Sequence, residues 1–234
     1  MYEKSSQYFD LLHQGKDYDA SSKAIRRLIQ QHNPNAKTLL DAACGTGKHI
    51  EILQEYYYVE GLDISPELLE IARKRCPRLT FHLGNLMNFK LNRKFDIITC
   101  LFGSIGYLTT IESVESAIAG MADHLQADGI LIIEPWLSPE KFWNKRVKFD
   151  VVDEPELKIV RMHTSKVKGR ISMFDVNYLV GTPQGVRYFT ELEELGLYTH
   201  EEYVSAFEMA DLKVSYDEKG LFGYGLYIGI KNKR

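Results

Sequence analysis

The run Leu39-Leu40-Asp41-Ala42-Ala43-Cys44-Gly45-Thr46-Gly47-Lys48-His49 decides how this chain folds. An apolar run ends at an acid, small residues follow, and an amphipathic stretch begins. This is the signature of a strand-to-helix turn, in which Gly45 and Gly47 allow both a tight bend and close approach of a ligand to the main chain. Such turns sit at the carboxyl edge of a parallel sheet, where open α/β folds bind their ligands.

The flanking sequence has the same character. Tyr18 to His32 carries Ala24, Ile25, Leu28 and Ile29 at helical spacing, with Pro34 just beyond it. Thr38 to Ala42, Tyr57 to Asp63, Leu79 to Leu83, Phe95 to Phe102 and Gly129 to Glu134 read as buried strands. Helices are expected over Gly47 to Tyr56, after Ser65-Pro66-Glu67, and over Ile111 to Leu125. Ser65 suits an N-cap, Pro66 the first helical position and Glu67 the positive end of the helix dipole. Continuously apolar strands separated by helices imply an α/β fold with a doubly wound, mostly parallel sheet covered on both faces.

The pattern changes after Pro139. Val147 to Val152, Leu157 to Val167, Arg170 to Val180 and Val186 to Leu195 are rich in β-branched and aromatic residues, with turn residues at Lys168-Gly169 and Thr182 to Gly185. This predicts an antiparallel meander. A helix from His200 to Leu212 and a strand pair, Leu212 to Tyr216 and Tyr224 to Ile230, close the chain. The chain is therefore expected to be one domain over 1–234. Its core spans 18–137 and 198–234, and a late antiparallel β insertion over 140–196 forms the substrate side.

Composition narrows the functional classes. A net charge of -3 with no basic stripe points away from nucleic acid and anionic membrane surfaces. Three cysteines, Cys44, Cys76 and Cys100, form no C-x-x-C pair, so neither a disulfide framework nor structural zinc is expected. No apolar run follows Met1, so the reading is a cytoplasmic enzyme without a signal peptide or a membrane span.

The loop also says what it binds. A dinucleotide fingerprint, G-x-G-x-x-G, needs a third glycine where this chain has Ile50. Asp41 at the strand end would repel a pyrophosphate but would accept from a cationic amine, directly or through water. That suits the amino-acid part of S-adenosylmethionine. Asp63, at the next strand end, is placed to accept from two adjacent ribose hydroxyls, with Ile64 against the adenine ring. Asn85 and Leu86, after the third strand, can meet the adenine edge through a side-chain oxygen and a backbone N–H. Each feature has a plainer explanation: a glycine turn can be only a turn, an Asp can cap a helix, and Asn85 can be turn chemistry. Their occurrence in order at successive strand ends favours the cofactor site.

With these motifs in place, Tyr18 to Pro135 resembles the class I S-adenosylmethionine-dependent methyltransferases. Nearly the whole chain is similar to the N,N-dimethyltransferases of nucleotide-linked 3-amino-3,6-dideoxyhexoses, of the desosamine and mycaminose type. The resemblance is carried by Gly15-Lys16-Asp17-Tyr18, Leu39 to Gly47, Ala72 to Arg75, Phe102 to Leu108, Glu134-Pro135-Trp136, Gly185 to Phe189 and the glycine-rich tail Gly220 to Gly229. It implies a seven-stranded Rossmann-like sheet and S-adenosyl-L-methionine as cofactor. Tyr18, Asp41, Ala43, Gly45, Gly47, Asp63, Ile64, Asn85, Leu86 and Leu101 would form the cofactor site. Tyr107 would face the reacting amine, Tyr2 would close over the site from an N-terminal lid (1–17), and Trp136 would line the sugar pocket. Tyr224 stands where the family carries an arginine for the nucleotide phosphate; its hydroxyl lacks the charge and fork of arginine. Around Glu193 the family tends to carry histidine. A small-molecule acceptor, a nucleotide-linked amino sugar, is the implied partner, and a homodimer is compatible with the family.

Methyl transfer from a sulfonium needs no metal and no covalent intermediate, because the leaving group is already activated. Aligning donor and acceptor can supply roughly 7–11 kcal/mol of the barrier. An amine acceptor needs little more, whereas an alcohol needs a base, for which Tyr107, His163 and Glu193 are the candidates. Other readings remain open at this point: an N- or O-methyltransferase of another small metabolite, a cofactor-binding protein without catalysis, and, against the loop pattern, a nicotinamide-dependent oxidoreductase.

Overall fold

In the computed structural model, which describes residues 4–232, the early strands and the final pair form one seven-stranded sheet. The later β-rich stretch forms a separate four-stranded sheet. In chain order the elements are α1 (Phe9–Leu12), α2 (Tyr18–His32), β1 (Thr38–Ala42), α3 (Lys48–Leu53), β2 (Tyr58–Asp63), α4 (Pro66–Arg75), β3 (Thr80–Leu83), β4 (Phe95–Cys100), α5 (Ile111–Asp123), β5 (Leu125–Ile133), β6 (Val147–Glu154), β7 (Leu157–Lys168), β8 (Ile171–Thr182), β9 (Gly185–Gly196), α6 (His200–Met209), β10 (Leu212–Asp217) and β11 (Leu226–Lys231).

The large sheet runs β10-β11-β5-β4-β1-β2-β3, and β11 is antiparallel to both of its neighbours. The order reverses between β1 and β4, which places the ligand crevice beyond their carboxyl ends. Alternation along β1 explains the two cores: Leu40 and Ala42 pack with α5 and α6 on one face, and Leu39 packs with α2, α3 and α4 on the other. The cap expected at Ser65 is present, its Oγ accepting from Leu68 N at 3.2 Å, with Pro66 in the first turn. Asp17 caps α2 by accepting from Ala20 N at 2.8 Å.

Element ends depart from expectation where a residue takes positive φ. Helix α3 begins at Lys48 because Gly47, at φ 76°, is its cap, and β4 ends at Cys100 because Phe102 and Gly103 sit at 62° and 70°. Asp211 at 58° stops α6 short of Leu212, and Gly223 and Gly225, at 86° and 89°, delay the last strand to Leu226. Strand β5 starts early, at Leu125, with a register shift against β4 between Phe95 and Ile97. His124, at the end of α5, is half-buried, stacked on Phe89, accepting from Leu91 N at 3.0 Å and bonded to Gly120 O at 2.7 Å.

The meander β6-β7-β8-β9 presents one face to the core. Ile159, Phe174, Val176, Tyr178, Val180 and Leu195 are buried there, against Trp136, Phe142, Trp143 and Tyr8. Met162 points to the opposite face and is 46% exposed, because neighbours along a strand alternate faces. The N-terminal segment links the meander to the core. Ser5 Oγ donates to Glu191 Oε2 at 2.6 Å and Arg187 Nη2 to the Tyr8 hydroxyl at 2.9 Å. At the other end, Thr46 Oγ1 donates to Asp10 Oδ1 at 2.6 Å, and Asp10 also pairs with Arg75.

Packing at the cofactor edge is tight around Gly61. A Cβ there would lie 2.6 Å from Phe81 Cδ1, 2.8 Å from Cys44 Sγ and 2.9 Å from Ile50 Cδ1. Gly61→Ala is expected to lose roughly 1–3 kcal/mol by overpacking. The loss would register as a lower urea midpoint at unchanged slope.

Candidate active site

A cavity of about 530 Å³ opens beyond the carboxyl ends of β1, β2 and β4, between the core, the N-terminal segment and the meander. Its cofactor-side wall contains Tyr18, Asp41, Ala43, Gly45, Asp63, Ile64, Asn85, Leu86 and Leu101, so nine of the expected cofactor residues converge. Tyr107, Trp136 and Tyr224 line it as well. Tyr2 lies outside the described residues.

Gly47 does not reach the cavity. The position its Cβ would occupy lies 3.3 Å from Ala72 Cβ, so this glycine serves the left-handed cap and the packing of α3 on α4. In the turn before it, Ala43 and Gly45 have φ of 63° and 56°. The left-handed conformation costs a residue with a Cβ about 1–2 kcal/mol, which explains why a glycine suits the position of Ala43.

Asp41 is buried, and its Oδ1 accepts from Thr99 Oγ1 at 2.8 Å. No ion pair reaches it among the described residues. Burial raises its pKa to about 7, with the Asp63 charge adding and the Thr99 bond opposing. A cationic amine is the counter-charge this carboxylate lacks, so the site fits the ammonium of S-adenosylmethionine on chemical grounds.

Asp63 has a structural task beyond the one read from sequence. Its Oδ2 accepts from Gly45 N at 2.8 Å and its Oδ1 from Ser65 N at 2.8 Å. The carboxylate therefore ties the glycine turn to the start of α4, and ribose hydroxyls would use its remaining lone pairs. Burial raises its pKa and these two bonds oppose the rise. Asn85 Oδ1 accepts from Met87 N at 3.0 Å, an Asx turn, so the oxygen assigned to adenine is engaged by the chain itself. Exposed Ile64 and Met87 form the rim of the cavity beside it.

Several cavity residues escaped the sequence reading. Phe9, Leu12, His13 and Lys16 come from the N-terminal segment. Lys16 Nζ lies 2.8 Å from the centroid of the Phe102 ring, and burial lowers its pKa to about 8. His13, bonded through Nδ1 to Phe9 O at 2.8 Å, is lowered to about 4 by burial. His49 lies on the wall: Nδ1 is 3.1 Å from Ser22 Oγ, while buried Nε2 has no hydrogen-bond partner among the described residues. The meander contributes Lys148, Asp150, Arg161 and Phe174, beside His163 and Glu193, which the sequence had offered as bases. The signal for these was available, since Arg161, His163 and Ser165 alternate on the core-facing side of β7. Glu134, next to the cavity wall, accepts from Phe102 N at 2.6 Å, and burial raises it to about 7. Among the described residues no group of three or more His, Cys, Asp or Glu side chains could hold a metal ion.

Comparison with known proteins agrees with this geometry. Residues 39–129 match the family described as Methyltransferase domain. The dTDP-3-amino-3,4,6-trideoxy-alpha-D-glucopyranose N,N-dimethyltransferase of Streptomyces venezuelae is 38% identical over 226 residues, covering 95% of each chain. The dTDP-4-amino-2,3,4,6-tetradeoxy-D-glucose N,N-dimethyltransferase of Saccharopolyspora spinosa is 38% identical over 96% of this chain and 91% of its own. Among solved structures, Streptomyces venezuelae DesVI superposes with a TM-score of 0.92 at 37% identity, covering 97% of this chain and 98% of its own. The SAM-bound CalS10, an amino pentose methyltransferase from Micromonospora echinaspora, superposes at 0.86 with 35% identity, covering 94% and 93%. The fold, the cofactor wall and the full-length similarity lead to one conclusion: the chain belongs to the S-adenosylmethionine-dependent sugar N-methyltransferases, in the family of the dTDP-amino-sugar N,N-dimethyltransferases.

Proposed function

We propose that this chain methylates the amino group of a nucleotide-linked amino-deoxysugar by in-line transfer from S-adenosylmethionine, in the cytoplasm. One observation carries the reading. A single cavity joins a buried, uncompensated acid at the cofactor end to an aromatic wall of Tyr107, Trp136, Phe174 and Tyr224 at the acceptor end. The relatives' names place the amine at carbon 3 or carbon 4 of the sugar, so the class of acceptor is proposed and its position is left to the assay.

When bound, the cofactor supplies an electrophilic methyl group on a sulfonium. Asp41 would hold its ammonium, and Asp63 its ribose while keeping the glycine turn in shape. Ile64, Asn85 and Leu86 would surround the adenine. Tyr107, the last residue of the 3-10 turn Ser104–Tyr107, would orient the acceptor's nitrogen. Trp136, fixed by its indole N–H donating to Ser172 Oγ at 3.1 Å, would pack on the sugar. Lys16, seated on Phe102, and residues 4–17 as a whole would close the cofactor end.

The reading is tested by incubating the protein with S-adenosylmethionine and dTDP-linked 3-amino- and 4-amino-deoxysugars and following methylated product by mass. Absence of product from every amino sugar would refute it. Tyr107→Phe is expected to lower the rate by about tenfold or less if alignment dominates; near-total loss would assign the hydroxyl a proton-transfer role. Asp63→Ala is expected to weaken S-adenosylhomocysteine binding by tenfold or more, since hydrogen bonds to a charged group contribute about 1.5–3 kcal/mol each. It is also expected to lower the melting temperature through the lost Gly45 and Ser65 bonds.

Asp41 gives a pH signature. Its carboxyl stands at about 7 without a ligand, and an ammonium beside it stabilises the ionised form. Binding of S-adenosylhomocysteine near pH 6.5 is therefore expected to release a proton, seen as a binding enthalpy that varies with the ionisation enthalpy of the buffer. Asp41→Asn is expected to abolish that variation. In the ligand-free protein the sign is the usual one for a raised carboxyl. The native state binds the extra proton, so stability falls as pH rises from the unfolded value, about 4, towards 7.

A further inference from the structure

The aromatic and cofactor walls account for most of the cavity, but one buried carboxylate on the meander has no task. Glu193 projects from β9 on the core-facing side, in register with Phe174 and Ser165 across the meander. Its side chain is 12% exposed, it lines the same cavity as Tyr107, and its buried Oε1 has no hydrogen-bond partner among the described residues. The nearest cation among the described residues, Arg161 Nη2, is 3.8 Å away, beyond hydrogen-bond distance, and the same guanidinium is 3.6 Å from Asp150 Oδ2. One arginine thus lies between two carboxylates. A buried acceptor oxygen without a donor is costly, and it is retained where a ligand supplies the donor.

Resting on the amino-acceptor reading above, we propose that Glu193 binds the acceptor's ammonium group and takes from it the proton that must leave before methyl transfer. An amine flanked by electron-withdrawing carbons titrates at about 8, as α-amino groups do, so at pH 7 about nine-tenths of it is ammonium with no lone pair to offer. The carboxylate of Glu193 takes one proton from R–NH3+, leaving R–NH2 and a neutral carboxylic acid. The nitrogen lone pair then forms the N–C bond to the methyl group as the C–S bond breaks, its electron pair going to sulfur. The product is the secondary ammonium and S-adenosylhomocysteine, and the Glu193 proton passes to solvent before the next turnover.

The surroundings suit this task. Burial raises the Glu193 carboxyl above the usual carboxylate range, with Arg161 opposing, which makes it a stronger proton acceptor than an exposed glutamate. The groups facing it are Arg161 and His163 on β7, Lys148 and Asp150 on β6, and Glu191 on its own strand. His163 is lowered by burial and by Arg161, which makes it a weaker proton acceptor than an exposed histidine. Glu191 is already engaged, accepting from Ser5 Oγ and Ser5 N. Glu193 is therefore the meander carboxylate that combines burial, cavity position and an unused oxygen.

The test compares wild type, Glu193→Gln and Glu193→Asp, using dTDP-3-amino-3,6-dideoxyglucose as acceptor and following kcat/KM from pH 6.5 to 9. Glu193→Gln is expected to lose about tenfold or more at pH 7, where it must wait for the free amine, and less than about threefold at pH 9, where the amine is free in solution. Glu193→Asp is expected to recover part of the loss at pH 7. S-adenosylhomocysteine affinity by calorimetry is expected to stay unchanged in both, which shows that the variants are folded. An equal loss at both pH values, or no loss, with cofactor binding intact would overturn the proposal and leave the methyltransferase reading standing. Failure of wild type to methylate any amino sugar would overturn both.

Discussion

The site depends on the carboxylate of Asp63. Two bonds of 2.8 Å fasten it to Gly45 N in the cofactor turn and to Ser65 N at the start of α4. Through them the ends of β1 and β2 and the first turn of α4 become one unit. The turn itself holds Ala43, Gly45 and Gly47 in left-handed backbone, a shape that open chain does not favour. A buried acceptor with two backbone donors supplies the fixed reference that keeps this shape in place. The cavity's polar end is then completed by Asp41, one strand over, whose charge is left for a ligand to match.

Most of the fold was legible because the strands of a doubly covered sheet are continuously apolar, while the meander strands alternate. Thr38–Ala42 and Tyr18–His32 were found at their expected bounds. Errors collected at residues of positive φ, such as Phe102, Asp211, Gly223 and Gly225, because hydrophobic pattern does not encode local backbone handedness. Gly47 shows the same limit at the site: a motif glycine was taken for a ligand contact, whereas its task is to cap one helix and let it approach Ala72.

The site residues divide along a similar line. Those at successive strand ends of the core could be read because topology brings strand ends together whatever the loops do. Asn85 was harder, since an amide two residues into a loop serves its own turn as readily as a ligand. His13, Lys16 and Arg161 were missed because their contribution depends on how the N-terminal segment and the meander dock, which is a tertiary fact. Glu193 was noticed in the sequence as a base for an alcohol and as a departure from the family's histidine. Its burial and unused oxygen fit an ammonium equally well.

The segment before α2 has a consequence for timing. It is fastened at one end to the meander, through Ser5 and Glu191 and through Tyr8 and Arg187. At the other end it is fastened to the cofactor turn, through Asp10, Thr46 and Arg75. Widening the cavity mouth on that side must break polar contacts with both ligand-binding halves of the molecule. The free energy of that local opening is then added to whatever else passage through that side of the cavity costs. A segment that touches both halves also makes the departure of one ligand depend on whether the other is still in place.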